Sequence, residues 1–120
     1  MAVALSHITF DSADPRSLAR FWSEALDRPV DEGASEFFAT IDNREPDRPS
    51  WFFIRVPEGK SAKNRMHVDL TADDRTAEVE RLSALGAVQL SEHDAWGAVW
   101  TVLADPEGNE FCVGQRPVQS

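Results

Sequence analysis

The spacing of hydrophobic and polar positions changes several times along the chain, and each change marks an element. Ala4 to Phe10 alternates as a strand does, with Ile8 and Phe10 on one face and His7, Thr9 and Asp11 on the other. Asp14-Pro15 supplies a helix N-cap followed by proline at the first helical position. Leu18, Phe21, Trp22, Ala25 and Leu26 then recur at helical spacing, and Pro29 is expected to close that helix. A strand is expected over Glu36 to Ile41, a hairpin loop over "DNREPDRPS", and a further strand over "WFFIRV", which is rich in aromatic and β-branched residues.

After the polar stretch "PEGKSAKN" the pattern starts again. "RMHVDL" alternates, with Met66, Val68 and Leu70 on one face and His67, Asp69 and Thr71 on the other. Asp73 or Asp74 caps a helix bearing Val79, Leu82 and Leu85, and Gly86 stands where a helix-ending glycine belongs. Strands are expected at Val88 to Leu90 and Val99 to Leu103. The turn "DPEGN" leads into a last strand, "EFCVG", with Glu110 and Cys112 on one face and Phe111 and Val113 on the other.

The two halves are alike. His7 and His67 lie 60 residues apart in a chain of 120, each on a strand that precedes an amphipathic helix. Leu18 and Phe21 correspond to Val79 and Leu82 at an offset of 61, so one residue is gained between His and helix. The reading is one α+β domain over residues 1–120, built from two tandem modules at about 1–58 and 63–116, each a strand, a helix and then two or three strands. The apolar strand faces are expected to pack under the helices, and the polar faces to line a cleft between the two sheets.

Composition narrows the function classes. A net charge of −9 argues against nucleic acid, which needs a basic footprint, and against an anionic membrane surface. The start "MAVALSHITF" has no basic region and too short an apolar run for a signal peptide, and no transmembrane stretch is present. Cys112 is the one cysteine, so no intrachain disulfide forms, and a cytoplasmic location is expected. Dinucleotide fingerprints and serine nucleophile elbows are missing.

The chemistry-bearing residues gather on the polar faces. His7 and His67 offer neutral imidazoles to a divalent metal, with Glu110 or Asp69 as the carboxylate that completes the set. Asp69 and Glu110 are also the candidate general acid and base. Thr9, Trp51, Phe53, Trp96, Trp100 and Cys112 are candidate ligand contacts, the aromatics as stacking walls for a planar or cationic molecule. Alternation alone leaves open whether Trp51 and Phe53 or Phe52 and Ile54 face the cleft.

The segments "HITFDSADPRSLARFWSEAL", "KNRMHVDLTADD", "EVERLSALGA" and "LADPEGNEFCV" together resemble the vicinal oxygen chelate superfamily, the glyoxalase/bleomycin-resistance/dioxygenase fold, and within it the small glyoxalase-like proteins. The resemblance covers His7 to Val113. It implies two tandem βαβββ modules, each contributing a curved sheet with its helix outside, around a concave cleft that holds a divalent metal; a set of two His and one carboxylate suits Fe, Mn, Ni or Zn. It also implies ligands from the first and last strands of each module. His7 and His67 stand at the two first-strand positions. Cys112 stands where the family usually has Glu, with Glu110 two residues earlier on the same face. The remaining position falls around Phe53 to Arg55, where there is no carboxylate.

Two functions follow as expectations. One is a metal-dependent lyase, isomerase or dioxygenase acting on a small organic molecule. The other is a metal-free binding protein of the drug-sequestering, bleomycin-resistance type, with a metal-free acid/base enzyme using Asp69 or Glu110 beside it. A homodimer is also expected from the resemblance.

Overall fold

The computed structural model describes residues 4–117 and divides the chain into two compact units, Met1–Gly59 and Lys60–Ser120. The first runs β1 (His7–Ser12), α1 (Pro15–Leu26), β2 (Phe38–Ile41) and β3 (Ser50–Arg55). The second runs β4 (Val68–Ala72), α2 (Arg75–Leu85), β5 (Val88–Ala95), β6 (Ala98–Ala104) and β7 (Glu110–Gln115). Among the described residues, no helix is long and apolar enough to cross a membrane.

The two units share one topology. In the first, the sheet order is β1-β3-β2, with β1 parallel to β3 and β2 antiparallel to it. In the second, the order is β4-β7-β6-β5, with β4 parallel to β7 and the other pairs antiparallel. Parallel pairing needs a long crossover, and each helix lies within that crossover.

The first unit departs from the expected βαβββ in one place. Its fourth strand shrinks to a single bridge, Val30 to Ile41. Pro29 removes a ladder donor just before it. Asp31 then holds the chain to β2: its N–H donates to the Thr40 carbonyl at 2.9 Å, and its carboxylate accepts from Thr40 Oγ1 at 2.7 Å and from the Asn43 N–H at 2.9 Å. Gly33 follows at φ 95°.

Both helix starts are as the caps dictate. The Asp14 carboxylate accepts from the Ser17 N–H, and that of Asp74 from the Ala77 N–H. Of the two caps considered for α2, Asp74 is the one used, and Gly86 ends that helix at φ 122°. Helix α1 ends before Pro29 is reached: Asp27 adopts a left-handed conformation at φ 55° and stops it at Leu26.

Leu18, Ala19, Phe21, Trp22 and Ala25 on α1 are buried where the helix packs on β2 and β3, whose own buried residues include Ile41 and Phe53. In the second unit Val79 and Leu82 lie over Leu103, Phe111 and Val113. Each sheet therefore gives one face to its helix and leaves the other available.

Candidate ligand and metal site

The free face of the second sheet carries the chemistry. Asp69 on β4 pairs directly with Cys112 on β7, Cys112 with Val102 on β6, and Val102 with Ser91 on β5. One row thus crosses all four strands. The next row runs Thr71, Gly114, Trp100, His93. A cavity of about 530 Å³ lies over this face, lined by Lys63, His67 and Asp69 at one end and by Leu90, His93 and Trp100 at the other, with Cys112 and Glu110 also on its wall.

His67 immediately precedes β4, two residues before Asp69, so both project to the same side. The His67 Nε2 is 3.4 Å from an Asp69 carboxylate oxygen. The Cys112 sulfur joins them: the three donor atoms all lie within 4.8 Å of one another. Cys112 is buried on a strand flanked by core residues, while His67 and Asp69 are exposed. Burial, reinforced by the charge and hydrogen bonding of Asp69, pushes the Cys112 thiol up to about 11, with Lys63 opposing the rise.

Glu110 has another task. One of its oxygens takes the Lys60 ammonium at 3.0 Å, and the other accepts from the Asn64 N–H at 2.8 Å. Burial raises its pKa, but the bonds from Asn64 and Lys60 outweigh that and hold the carboxyl below its ordinary value. Glu110 thus ties the segment that leads into β4 to the start of β7. The structure brings Cys112, rather than Glu110, to His67 and Asp69, because Glu110 precedes Cys112 by one full pleat and its oxygens are engaged.

The aromatic end is a stack. His93 and Trp100 are direct cross-strand partners, and their rings lie 5.1 Å apart at 20°. Trp96, in the β5–β6 turn at φ 54°, stacks on Trp100 at 6.0 Å and 11° and is 92% exposed. Ser91 Oγ lies 2.8 Å from His93 Nε2. Pairing shifts between Gln89 and Ser91, leaving Leu90 as the extra residue of a bulge. The bulge lets Leu90 and Ser91 both reach the cavity.

The remaining candidates lie in the first unit. His7 is exposed at the start of β1, its ring stacked on Phe52 at 3.9 Å and 12°, and Thr9 is exposed on the same face. Phe53 is fully buried, 5.4 Å from Phe10 and under α1, so it is a core residue and not a ligand wall. Trp51 lies on that same helix side, against Phe10 and Trp22, and is half-buried. The face left open by alternation is therefore settled: Phe52 shares a side with His7, and Trp51 and Phe53 belong to the core side.

Lys63, Leu90, Ser91, His93 and Val102 are cavity residues that the sequence did not single out. The pattern predicts a strand that stops at Leu90, because the "SEHD" that follows has no apolar member to mark a buried face. Its partner "AVWTVLA" carries the signal: Trp100 needs a cross-strand neighbour to cover it, and His93 is that neighbour.

A family model, the glyoxalase-like domain, matches residues 7–114. A search of curated protein sequences returns no match. Among solved structures, the chain is similar to a glyoxalase/bleomycin resistance protein/dioxygenase family enzyme from Burkholderia phytofirmans PsJN, with a TM-score of 0.77, 18% identity, and coverage of 94% of this chain and 98% of that one. It is also similar to a mutant of the fosfomycin resistance protein FosX from Listeria monocytogenes, complexed with Mn(II) and 1S,2S-dihydroxypropylphosphonic acid. There the TM-score is 0.78 and the identity 14%, covering 98% of this chain and 94% of that one. A third similar structure is lactoylglutathione lyase from Agrobacterium tumefaciens, with a TM-score of 0.66, 16% identity, and coverage of 96% and 95%. At these identities the likeness establishes the vicinal oxygen chelate fold.

Proposed function

Because the chain belongs to the glyoxalase-like domain family, we propose that it binds a small organic molecule over the free face of its second sheet and acts on it as a metal-dependent lyase, isomerase or dioxygenase. The observation that carries this reading is the cluster of His67, Asp69 and Cys112 at one end of a cavity whose other end is aromatic. The donor set, one imidazole, one carboxylate and one thiol on a common face, fits a divalent ion, which His67, Asp69 and Cys112 would hold. When bound, such an ion supplies Lewis-acid polarisation of a ligand's oxygens.

The chain's own residues do the rest. The flat part of the ligand lies against Trp100 and His93. The Lys63 ammonium attracts anionic oxygens to the polar end. His93, held flat by Trp100 and hydrogen-bonded to Ser91, places an imidazole where it takes or returns a proton. Leu90 at the aromatic end and Val102 between the two ends displace water.

A panel of planar, oxygen-bearing compounds screened against chelated and metal-reconstituted protein tests this reading. Turnover is expected only in the reconstituted protein and is lost in His67→Ala. Turnover unaffected by chelation and by His67→Ala overturns it. A second reading, metal-free sequestration, is favoured by the His93–Trp100–Trp96 stack. Its mark is saturable quenching of tryptophan fluorescence that persists in chelator, with no product formed.

A further inference from the structure

We infer that the metal site of the second unit is a thiophilic one: His67, Asp69 and Cys112 select Zn²⁺ or Co²⁺ through a sulfur ligand and discriminate against Mn²⁺ and Mg²⁺. The inference rests on the reading of this face as a metal-dependent ligand site, and it assigns the class of metal that the reading leaves open.

Three observations carry it. First, two of the donors, Asp69 and Cys112, sit on neighbouring strands of one sheet and are held in register by direct pairing, and His67 stands two residues before Asp69, just ahead of β4. The Asp69–Cys112 spacing is therefore set by backbone hydrogen bonds. Second, the distances suit a small tetrahedral ion. Donors around Zn²⁺, at about 2.0 Å for nitrogen or oxygen and about 2.3 Å for sulfur, are separated by roughly 3.3–3.5 Å. His67 and Asp69 already stand at 3.4 Å, and the sulfur lies within 4.8 Å of both, so a small side-chain adjustment closes the set.

Third, the oxygen-rich alternative is occupied. Mn²⁺ and Mg²⁺ prefer carboxylate, carbonyl and water ligands in octahedral arrays. The second carboxylate on this wall, Glu110, has one oxygen on Lys60 and the other on the Asn64 N–H. That leaves one carboxylate, one imidazole and one sulfur, a mixture that suits Zn²⁺ or Co²⁺. On binding, the Cys112 S–H proton is released to solvent and a metal–sulfur bond forms, so no oxidant or reductant is involved.

The test is made on the full chain, stripped of metal and titrated with Co²⁺ and Mn²⁺ separately, with Zn²⁺ as competitor. One equivalent of Co²⁺ is expected to give a sulfur-to-cobalt charge-transfer band in the near ultraviolet and strong visible absorption of a four-coordinate ion, displaced by Zn²⁺. Mn²⁺, followed by its free-ion electron paramagnetic resonance signal, is expected to bind at least about 100-fold more weakly. Cys112→Ser should abolish the charge-transfer band and weaken Co²⁺ binding by at least about 10-fold. Cys112→Glu, which keeps a ligand there, should lose the band yet gain Mn²⁺ affinity, and it serves if the serine variant fails to fold. A weak, six-coordinate Co²⁺ spectrum, or tight Mn²⁺ binding indifferent to Cys112→Ser, overturns the inference. Those outcomes leave the functional reading standing if reconstitution with another metal still supports turnover. Loss of turnover dependence on any metal sinks the functional reading itself.

Discussion

Asp69 and Cys112 face each other across the parallel β4–β7 pair, and the carboxylate bears on a buried thiol. Burial and Asp69 together push that thiol up to about 11 from the ordinary 9.0. At pH 8 about one thiol in a thousand is then ionised, so metal-free protein should alkylate with iodoacetamide about 100-fold more slowly than an ordinary thiol. Asp69→Asn removes one of the two causes and should speed alkylation severalfold, while burial keeps it below the rate of the unfolded chain. The sign for stability follows. A neutral thiol in the folded state contributes stability that is present below pH 9 and is lost as pH rises toward 11. Mass spectrometry of the alkylated chain over a pH series reads both effects. Equal rates in the native and urea-unfolded protein would contradict them.

Glu110 predicts the opposite pH behaviour. Its carboxyl is held below the ordinary 4.5 because bonds from Asn64 and Lys60 outweigh burial. Its contribution to stability is therefore present above that value and is lost as pH falls through the depressed folded pKa. Glu110→Ala leaves the Asn64 N–H and the Lys60 ammonium without this acceptor, and about 1–3 kcal/mol of stability should go at neutral pH. Glu110→Gln keeps an oxygen for Asn64 and should cost less. Urea titrations at neutral and acidic pH separate the cases: the variant and the parent should converge in acid. Unchanged Co²⁺ binding in Glu110→Gln is expected as well, since this residue is not among the clustered donors.

The strand-and-helix start of each repeat was legible, because a helix and a strand write their periods directly into the order of residues; the shrinking of one strand of the first unit to the Val30–Ile41 bridge was not. Asp14-Pro15 and Gly86 stand at the helix ends where capping chemistry puts them, and the outward faces of β1 and β4 are those of the alternation. What strand order hides is which side of a sheet a helix covers. Trp51 and Phe53 could have faced either way, and only the packing of Trp22 and Phe10 decides for the core. Glu110 was similarly ambiguous: a carboxylate on the right face reads as a ligand until Lys60 and Asn64 are seen to hold it. His93 was hidden in a polar strand that shows its face only beside Trp100.

Phe53 gives a test that separates core from site. It is fully buried among Phe10 and the α1 side chains, so Phe53→Ala should cost about 3–5 kcal/mol through lost burial and a residual cavity. Any effect on Co²⁺ binding should disappear once the fraction folded is accounted for. Thermal unfolding followed by circular dichroism, run beside metal titration, reads the two independently. A stable Phe53→Ala protein with impaired ligand binding would return Phe53 to the ligand wall.

Gly114 tests the shape of the floor. It sits between Thr71 and Trp100 in a cross-strand row of the free face, at an ordinary backbone conformation. A Cβ there meets a single neighbour, the Leu70 carbonyl oxygen, at an unstrained 3.7 Å. Gly114→Ala should therefore be tolerated, and by reducing the freedom of the unfolded chain it should stabilise by up to about 1 kcal/mol. A leucine is different. It would project over the sheet beside Trp100 and occupy the approach to the indole face. Gly114→Leu is thus expected to fold and to bind Co²⁺ normally, because the donors lie in the neighbouring row. It should weaken quenching of Trp100 by planar ligands at least about 10-fold, through lost stacking and shape fit. Fluorescence titration of the parent, Gly114→Ala and Gly114→Leu, each beside Trp96→Phe to silence the exposed indole, leaves Trp100 as the ligand-facing emitter over the constant background of Trp22 and Trp51, which lie on the helix side of the first sheet. If Gly114→Leu binds such ligands as the parent does, the ligand does not lie on this row, and the aromatic end of the cavity is packing alone.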